Sequence, residues 1–254
     1  MDLQLTGKRA LVTGASRGIG RAIAQLLADE GCALAICARG EEGLREAADR
    51  FRAGGTAVHA SVVDVSDGDA VAGFVAEADA ALGGLDVVVS NASAGGGLTG
   101  PEQWAASFQT DLLAFVRLAE AATEPLARSR GALIAVGTTS AADTSPPSGP
   151  GSYGALKAAL LHHASALAHT LAPRGVRVNV VSPGPIEFPG GSWARRQEDK
   201  PDFYRSIRER IPVGRLGRPE EVAAAVAFLA SPAAGFCVGS NLVVDGGFLT
   251  RVDF

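Results

Sequence analysis

The sequence has little of several features that mark particular classes of protein. Only three cysteines occur in 254 residues, which argues against a small secreted domain held together by disulfides. Lysine and arginine number 23 against 27 acidic residues, and the net charge of −4 provides no basic surface for nucleic acid or an anionic membrane. No apolar run approaches the roughly 18–20 residues that a transmembrane helix needs. We therefore expect neither nucleic acid nor a membrane among its partners.

The sequence also has no motif of an export signal or of a metal site. The first residues, MDLQLTGKRALV, lack a basic segment followed by an apolar stretch and a cleavage site. The thiols of Cys32, Cys37 and Cys237 follow no spacing motif, so we expect them to be reduced and packed, in a cytoplasmic protein. The four histidines have no cysteine or carboxylate at ligand spacing, and no metal site is predicted.

Short apolar, β-branched runs alternate with longer segments whose apolar residues recur at helical spacing. Strands are predicted over 9–12, 33–37, 58–63, 85–89, 133–136, 176–181 and 241–244. Helices are predicted over 18–30, 41–51, 69–82, 101–126, 152–172 and 219–230. This alternation predicts one α/β domain over residues 1–254, a doubly wound Rossmann-type fold with a mostly parallel seven-stranded sheet. The long charged segment 187–210 is predicted to be a substrate loop or lid.

A glycine-rich turn joins the first predicted strand to the first predicted helix, with the sequence TGASRGIG over 13–20. Glycine permits a tight turn and lets backbone N–H groups approach a pyrophosphate, and the following helix adds a partial positive charge at its N-terminus. The position of the turn, after a strand and before an amphipathic helix, favours a dinucleotide site over a packing role. The cofactor-binding residues predicted in this turn are Gly14, Ser16, Arg17, Gly18, Ile19 and Gly20.

The end of the second strand predicts which dinucleotide binds. An acid there would bind the ribose 2′-hydroxyl of NAD, but the sequence Cys37-Ala38-Arg39-Gly40 has no carboxylate. Arg39 and Arg17 would instead bind a 2′-phosphate, because guanidinium groups match phosphate oxygens. We therefore expect NADP(H) in preference to NAD(H). The alternative is that both arginines are solvated surface charges.

Tyr153 and Lys157 stand four residues apart, on one face of the helix predicted over 152–172. A free tyrosine has a pKa of about 10 and is a poor acid or base at neutral pH. A nearby ammonium is expected to stabilise the phenolate and lower that pKa. The phenol would then protonate a carbonyl oxygen that receives hydride, or deprotonate an alcohol that loses it.

With these motifs in order, the chain resembles the standard-length branch of the short-chain dehydrogenase/reductase family over nearly all of its 254 residues. Its C-terminal segments, GRLGRPEEV over 214–222 and VDGG over 244–247, are similar to those of 3-oxoacyl carrier-protein reductases. The resemblance implies that Tyr153 and Lys157 are catalytic and that Lys157 also binds the nicotinamide ribose. The further cofactor contacts that it implies are Asp64, Val65, Asn91, Ala92, Pro183, Gly184 and Ile186.

The chain also departs from the family pattern. The segment SNAS over 90–93 resembles Asn-Asn-Ala-Gly, with changes at its first and last positions. Asp111 stands where the family has an asparagine that helps to hold a water in a proton relay, and an ionised carboxylate cannot donate hydrogen bonds; a structural role at a kink is the alternative. The family implies a hydroxyl near the end of the fifth strand that binds the substrate carbonyl. Thr138 and Ser140 both fit, and Ser140 is the preferred candidate.

The function expected from these residues is reversible hydride transfer between NADP(H) and a ketone or secondary alcohol. The alternatives are an NAD-linked alcohol dehydrogenase and a dinucleotide-binding regulator without catalysis. A small-molecule substrate is expected under segment 187–210. The aromatic residues expected to line the substrate site are Phe188, Trp193, Phe203 and Tyr204. The basic residues expected to meet an acidic tail of the substrate are Arg195, Arg196, Lys200, Arg205 and Arg208. The resemblance also implies a homo-oligomer, either a tetramer or a dimer.

Overall fold

The computed structural model describes residues 2–96 and 100–250. Its strands are β1 (Arg9–Thr13), β2 (Ala33–Ala38), β3 (Val58–Val62), β4 (Val87–Ser90), β5 (Ala132–Val136), β6 (Arg177–Pro183) and β7 (Asn241–Val244). They form one sheet in the order β3-β2-β1-β4-β5-β6-β7, and each neighbouring pair is parallel. The predicted doubly wound, seven-stranded Rossmann-type fold is confirmed.

Helices cover both faces of this sheet. They are α1 (Gly18–Asp29), α2 (Glu41–Ala53), α3 (Gly68–Leu82), α4 (Pro101–Ser107), α5 (Ala114–Ser129), α6 (Ser152–Leu171), α7 (Ser192–Asp199), α8 (Pro201–Glu209) and α9 (Pro219–Ala230). One core layer lies between the sheet and α1, α2 and α9, and the other between the sheet and α3, α5 and α6. Successive strand side chains point to opposite faces, so Ala10 and Val12 enter the first layer and Leu11 the second. No helix among the described residues combines the length and apolar character needed to cross a membrane.

The strand order reverses beside β1, whose neighbours are β2 and β4. In open α/β sheets, ligands bind in the crevice outside the carboxyl ends of the strands at such a point. The turn after β1 and the residues after β4 lie together at this end of the sheet. Both segments carry predicted cofactor-binding residues, so the topology brings them to one site.

A π-helical segment, Phe108–Leu113, lies between α4 and α5, so the helix predicted over 101–126 is present but contains one wider turn and extends to Ser129. Single π turns inside helices occur frequently at functional sites. This segment turns Asp111 inward, where only 1% of the residue is exposed. The spacing of apolar residues does not reveal the segment, because a single wider turn alters the helical period only locally.

Segment 187–210 is mostly helical, since α7 and α8 occupy the greater part of it. Its buried side chains form a small apolar cluster with residues that follow in the chain. The members of this cluster are Trp193, Tyr204, Ile207, Ile211, Leu216 and Phe248. The segment is therefore packed against the rest of the chain through its own core, and its role as a lid stays a prediction.

Candidate active site

The glycine turn after β1 has a backbone conformation that glycine adopts readily. Gly14 and Gly18 have φ values of +67° and +56°, in the left-handed region that other residues disfavour. A Cβ at Gly20 would collide with the Gly14 carbonyl oxygen. After β4, the side-chain amide of Asn91 donates to the carbonyl oxygens of Thr13 (2.9 Å) and Gly14 (3.2 Å). The neighbouring strand thus holds the turn in place.

This turn fits the pyrophosphate of a dinucleotide. The first N–H groups of α1 lie at the turn, and Arg17 at the N-cap position gives them no side-chain acceptor. A phosphate would accept these N–H groups and would be stabilised by the partial positive charge of the helix N-terminus. A Cβ at Gly18 would come within 2.5 Å of the Phe188 ring. Phe188 therefore packs beside the turn, away from the substrate lining where it was expected.

At the adenosine end, Arg39 directly follows β2 and is exposed. Hydrogen bonds from the Ser66 amide (2.9 Å) and hydroxyl (2.8 Å) hold the pKa of the Asp64 carboxyl below its ordinary value, and the Arg39 guanidinium adds to this effect. The guanidinium of Arg17 instead extends to the Gly190 carbonyl oxygen, 3.5 Å away. The structure therefore brings Arg39 near Asp64, whereas Arg17 contacts the segment before α7.

Tyr153 lies in the first turn of α6. Burial, followed by the negative charge of Asp111, raises the pKa of Tyr153 to about 12, and a hydrogen bond with Thr138 acts in the opposite direction. The prediction of a lowered pKa is wrong, because burial and the Asp111 charge raise it and Lys157 is not among the groups that shift it. The phenol therefore keeps its proton at neutral pH.

Lys157 follows one turn later in α6 and is only 2% exposed. Its ammonium donates to the carbonyl oxygen of Val136 at the end of β5 (2.9 Å) and lies 3.6 Å from Oδ1 of Asp111. Burial lowers the pKa of Lys157, and the Asp111 carboxylate acts in the opposite direction. The ammonium is thus held between the end of a strand and the π-helical segment.

Two departures from the family pattern, Ser93 and Asp111, are in contact. The Ser93 hydroxyl donates to Oδ1 of Asp111 at 2.5 Å and accepts the Gly95 N–H at 3.0 Å. Oδ2 of Asp111 is buried without a hydrogen-bond partner among the described residues. Because a carboxylate only accepts hydrogen bonds, the serine supplies the donor that this contact needs. The two changes are visible in the sequence, but nothing there indicates that they meet.

The two candidate hydroxyls after β5 lie in different places. Thr138 is buried, lines the same cavity as Tyr153, and its Oγ1 accepts the Ser140 N–H at 3.2 Å. Ser140 belongs to the short 3₁₀ helix Thr139–Ala141, where its carbonyl oxygen lies next to Gly154. Thr138 is the hydroxyl that lowers the pKa of Tyr153, which favours it over Ser140, the candidate preferred from the sequence. Both residues line the cavity, and the choice between them stays a prediction.

A cavity of about 170 Å³ lies beside Tyr153. The residues around it include Gly96, Thr138, Ser140, Gly184, Trp193 and Arg196. Of the residues predicted for a substrate in segment 187–210, Trp193 and Arg196 line this cavity, and their contact with a substrate stays a prediction. Phe203 stacks on Trp193 with ring centroids 6.1 Å apart, and the Tyr204 hydroxyl donates to the Glu187 carboxylate at 2.6 Å.

Ser148 and Phe248 also line this cavity, and the sequence analysis missed both. Ser148 belongs to a proline- and glycine-rich loop without a motif. Phe248 follows the VDGG segment, where the Asp245 carboxylate accepts the N–H groups of Gly247 (2.8 Å) and Leu249 (2.9 Å). This turn at the carboxyl end of β7 is the signal that could have placed Phe248 near the site.

Known proteins match the chain along almost its full length. A family model described as Enoyl-(Acyl carrier protein) reductase matches residues 14–249. The isoepoxydon dehydrogenase of Penicillium expansum is 36% identical over 258 residues, covering 98% of this chain and 98% of its own. The 3-oxoacyl-acyl-carrier-protein reductase of Vibrio cholerae is 36% identical over 254 residues, covering 96% of this chain and 98% of its own.

Solved structures show the same similarity. A short-chain oxidoreductase of Pseudomonas aeruginosa PAO1, solved with NADPH and described as having an atypical catalytic centre, has a TM-score of 0.89 at 32% identity, covering 97% of this chain and 99% of that one. A short-chain dehydrogenase of Burkholderia cenocepacia J2315 in complex with NADP has a TM-score of 0.87 at 33% identity, covering 96% and 99%. The likeness thus includes the glycine turn and the surroundings of the tyrosine.

Proposed function

The chain belongs to the short-chain dehydrogenase/reductase family, and we propose that it reduces the carbonyl group of a small molecule with NADPH. The observation that carries this proposal is the cavity that Tyr153, Thr138 and Gly184 line together. Lys157 stands one turn behind the phenol, and the glycine turn lies at the same end of the sheet. A proton donor and a turn suited to a dinucleotide therefore lie at the same end of the sheet, an arrangement that supports carbonyl reduction.

NADPH supplies the hydride when it is bound. Tyr153 is the proposed general acid: with a pKa of about 12 it is protonated at neutral pH and donates to the carbonyl oxygen as negative charge develops there. The Thr138 hydroxyl orients the same oxygen. The glycine turn would hold the pyrophosphate, Arg39 the 2′-phosphate, and Lys157 the nicotinamide ribose. Because the phenol holds its proton at neutral pH, it is available to donate to a carbonyl oxygen.

Tyr153→Phe tests this assignment. It removes the proton donor and should lower NADPH-dependent reduction by about 10²–10⁴-fold, measured as loss of NADPH absorbance across a panel of ketones. Tyr204→Phe is the matched control and should stay active, because Tyr204 is the other tyrosine of the chain and hydrogen-bonds to Glu187. A wild-type protein that binds NADPH but reduces no ketone would favour the regulator without catalysis.

Arg39→Asp tests the proposed preference for NADPH. The new carboxylate would repel a 2′-phosphate and accept the ribose hydroxyl of NAD, so the NADPH/NADH ratio of kcat/KM should fall by about tenfold or more. Arg17→Asp is the comparison, with a smaller expected change, since the Arg17 guanidinium contacts Gly190. A ratio that does not respond to Arg39→Asp would favour the NAD-linked dehydrogenase.

We also propose a cytoplasmic homo-oligomer, a tetramer or a dimer. The free thiols of the chain fit a reducing compartment. Trp104 and Phe108, before α6, are 47% and 43% exposed, and Val238 and Leu242, at the β7 edge, are 38% and 37% exposed. Large apolar side chains exposed in groups are typical of protein interfaces. Light scattering of the purified protein tests the proposal, and a monomer at assay concentration would contradict it.

A further inference from the structure

Arg196 gives the cavity beside Tyr153 a cationic wall. From this we propose, resting on the reductase function proposed above, that the substrate is a small carbonyl compound that carries a carboxylate. Tyr153 faces the carbonyl group of this substrate, and Arg196 binds the carboxylate. Arg196 is then a specificity-determining residue of the cavity.

The guanidinium of Arg196 is held in place by aromatic rings. Its central carbon lies 4.8 Å from the centroid of the Trp193 ring and 6.0 Å from that of Phe203. The two rings stack almost in parallel, with an interplanar angle of 6°. Cation–π attraction of this kind stabilises a positive charge without neutralising it. The guanidinium therefore has a defined position and keeps its full charge for a ligand.

Among the described residues, no carboxylate oxygen lies within 4.0 Å of the Arg196 guanidinium. Arg195 and Arg208 share this property, whereas three other arginines have acidic partners, in the pairs Arg205–Asp202 (3.2 Å), Arg210–Asp143 (3.7 Å) and Arg215–Glu221 (2.6 Å). Burial, followed by the like charge of Arg195, lowers the pKa of Arg196. A partly desolvated cation without a counter-ion is stabilised by an anion, and a carboxylate matches the fork of its N–H donors.

The remainder of the cavity is polar and small. The Ser148 hydroxyl is buried without a hydrogen-bond partner among the described residues, and it lines the same cavity. Thr138 and Ser140 add two further hydroxyls. A volume of about 170 Å³ is enough to hold a compact molecule. Hydroxyls and a guanidinium around one cavity match a molecule with a carbonyl oxygen and a carboxylate.

Matched pairs of substrates test this proposal. Short oxo acids of increasing chain length are compared with their methyl esters, which keep the carbonyl group and lose the charge. For the acid of best length, wild-type kcat/KM with NADPH should exceed that of its ester by about tenfold or more, as expected for a charge-assisted hydrogen bond. Arg196→Met keeps an apolar stem against Trp193 and should bring the ratio near one, whereas Arg196→Lys should restore part of it. Arg205→Met is the control and should leave the ratio unchanged, since Arg205 pairs with Asp202 outside the cavity lining.

Esters reduced as fast as their acids, or a preference that survives Arg196→Met, would overturn the role of Arg196. If no oxo compound is reduced at all, the reductase function itself fails, and binding then decides the role of Arg196 separately. In a Trp104→Phe background, Trp193 is the remaining tryptophan and reports on the guanidinium stacked against it. Saturable fluorescence quenching by the oxo acid, absent with the ester and lost in Arg196→Met, supports the proposal. Equal quenching by acid and ester contradicts it, and so does the lack of any quenching.

Discussion

Two acidic side chains lie at opposite ends of the parallel sheet, each buried and each next to a basic residue. Asp86 precedes β4 at the amino end, beside Arg9, and Asp111 lies in the π-helical segment at the carboxyl end, beside Lys157. They are 8% and 1% exposed. The two differ in how completely their oxygens are satisfied, and this difference separates a structural contact from a reactive one.

Both oxygens of Asp86 have basic neighbours. Oδ2 accepts hydrogen bonds from the Arg9 backbone N–H (3.0 Å) and from Nε of its guanidinium (2.6 Å), and Oδ1 lies 3.6 Å from the Lys8 ammonium. Burial alone would raise the pKa of Asp86, but the hydrogen bonds from Arg9 hold it below its ordinary value. The contact connects the start of β1 to the start of β4, and both carboxylate oxygens of Asp86 are used in it.

Asp111 is satisfied on one side only. Its Oδ1 is shared by the Ser93 hydroxyl and the Lys157 ammonium, while Oδ2 has no partner among the described residues. Its charge contributes to the raised pKa of Tyr153 and opposes the effect of burial on Lys157. Perturbed ionisable groups concentrate at functional sites. The buried charge at the carboxyl end of the sheet therefore adds to the effect of burial on Tyr153 and opposes it on Lys157, whereas the buried charge at the amino end connects two strands.

Among the variants that test this difference between the two ends of the sheet, Lys157→Met is expected to have the largest effect, on catalysis. Loss of the ammonium beside the phenol should lower kcat/KM for ketone reduction by about 10²–10⁴-fold. The counterpart at the other end, Arg9→Met, should reduce stability and leave kcat/KM essentially unchanged. Lys157→Met also leaves Asp111 buried without its cation, so Lys157→Met/Asp111→Asn removes the unpaired charge, and circular dichroism then checks that the fold is intact. A folded, active double variant would contradict the assignment of Lys157.

A smaller effect, on stability alone, is expected from Asp86→Ala. It should lower the free energy of unfolding by about 2 kcal/mol, a low value for a buried pair because the Arg9 side chain is 28% exposed. The folded-state pKa of Asp86 lies below its ordinary value, so this stability is present above about pH 4 and is lost as pH falls through the folded pKa. Urea unfolding should show the wild-type advantage shrinking on acidification. A difference that is constant with pH would mean that the charge is not its source.

The two ends of the sheet also show which features of the fold and the site can be predicted from the sequence. The alternation of elements predicts the sheet, and the positions of Gly14 and Tyr153 predict the two halves of the site, because each depends on local spacing. The contact between Ser93 and Asp111 joins residues that lie 18 positions apart, and local spacing says nothing about it. The raised pKa of Tyr153 depends on burial and on that carboxylate, so the i, i+4 position of Lys157 alone predicts the wrong sign.

The smallest effect concerns protonation and stability at the carboxyl end. Asp111→Asn removes the charge that contributes to the raised pKa of Tyr153, so that pKa should fall. In alcohol oxidation the phenolate is the base, and the rise of kcat/KM with pH should therefore move to lower pH by about one unit. Asp86→Asn carries the same chemical change at the far end of the sheet and should leave the profile unchanged. If the pH dependence of kcat/KM is the same in Asp111→Asn, Asp86→Asn and the wild type, Asp111 does not contribute to the pKa of the phenol.

Ser93→Ala separates the contact from the charge. In the wild-type background it removes the donor to Oδ1 of Asp111 and should lower the free energy of unfolding by about 1–2 kcal/mol, because the carboxylate keeps only Lys157. In the Asp111→Asn background the same change should matter less, since a neutral amide is less costly to leave without that hydrogen bond. Urea unfolding of the four proteins gives the coupling between the two positions, expected to be about 1 kcal/mol. If the two effects simply add, the 2.5 Å contact does not couple these residues, and the carboxyl-end acid is held by Lys157 alone.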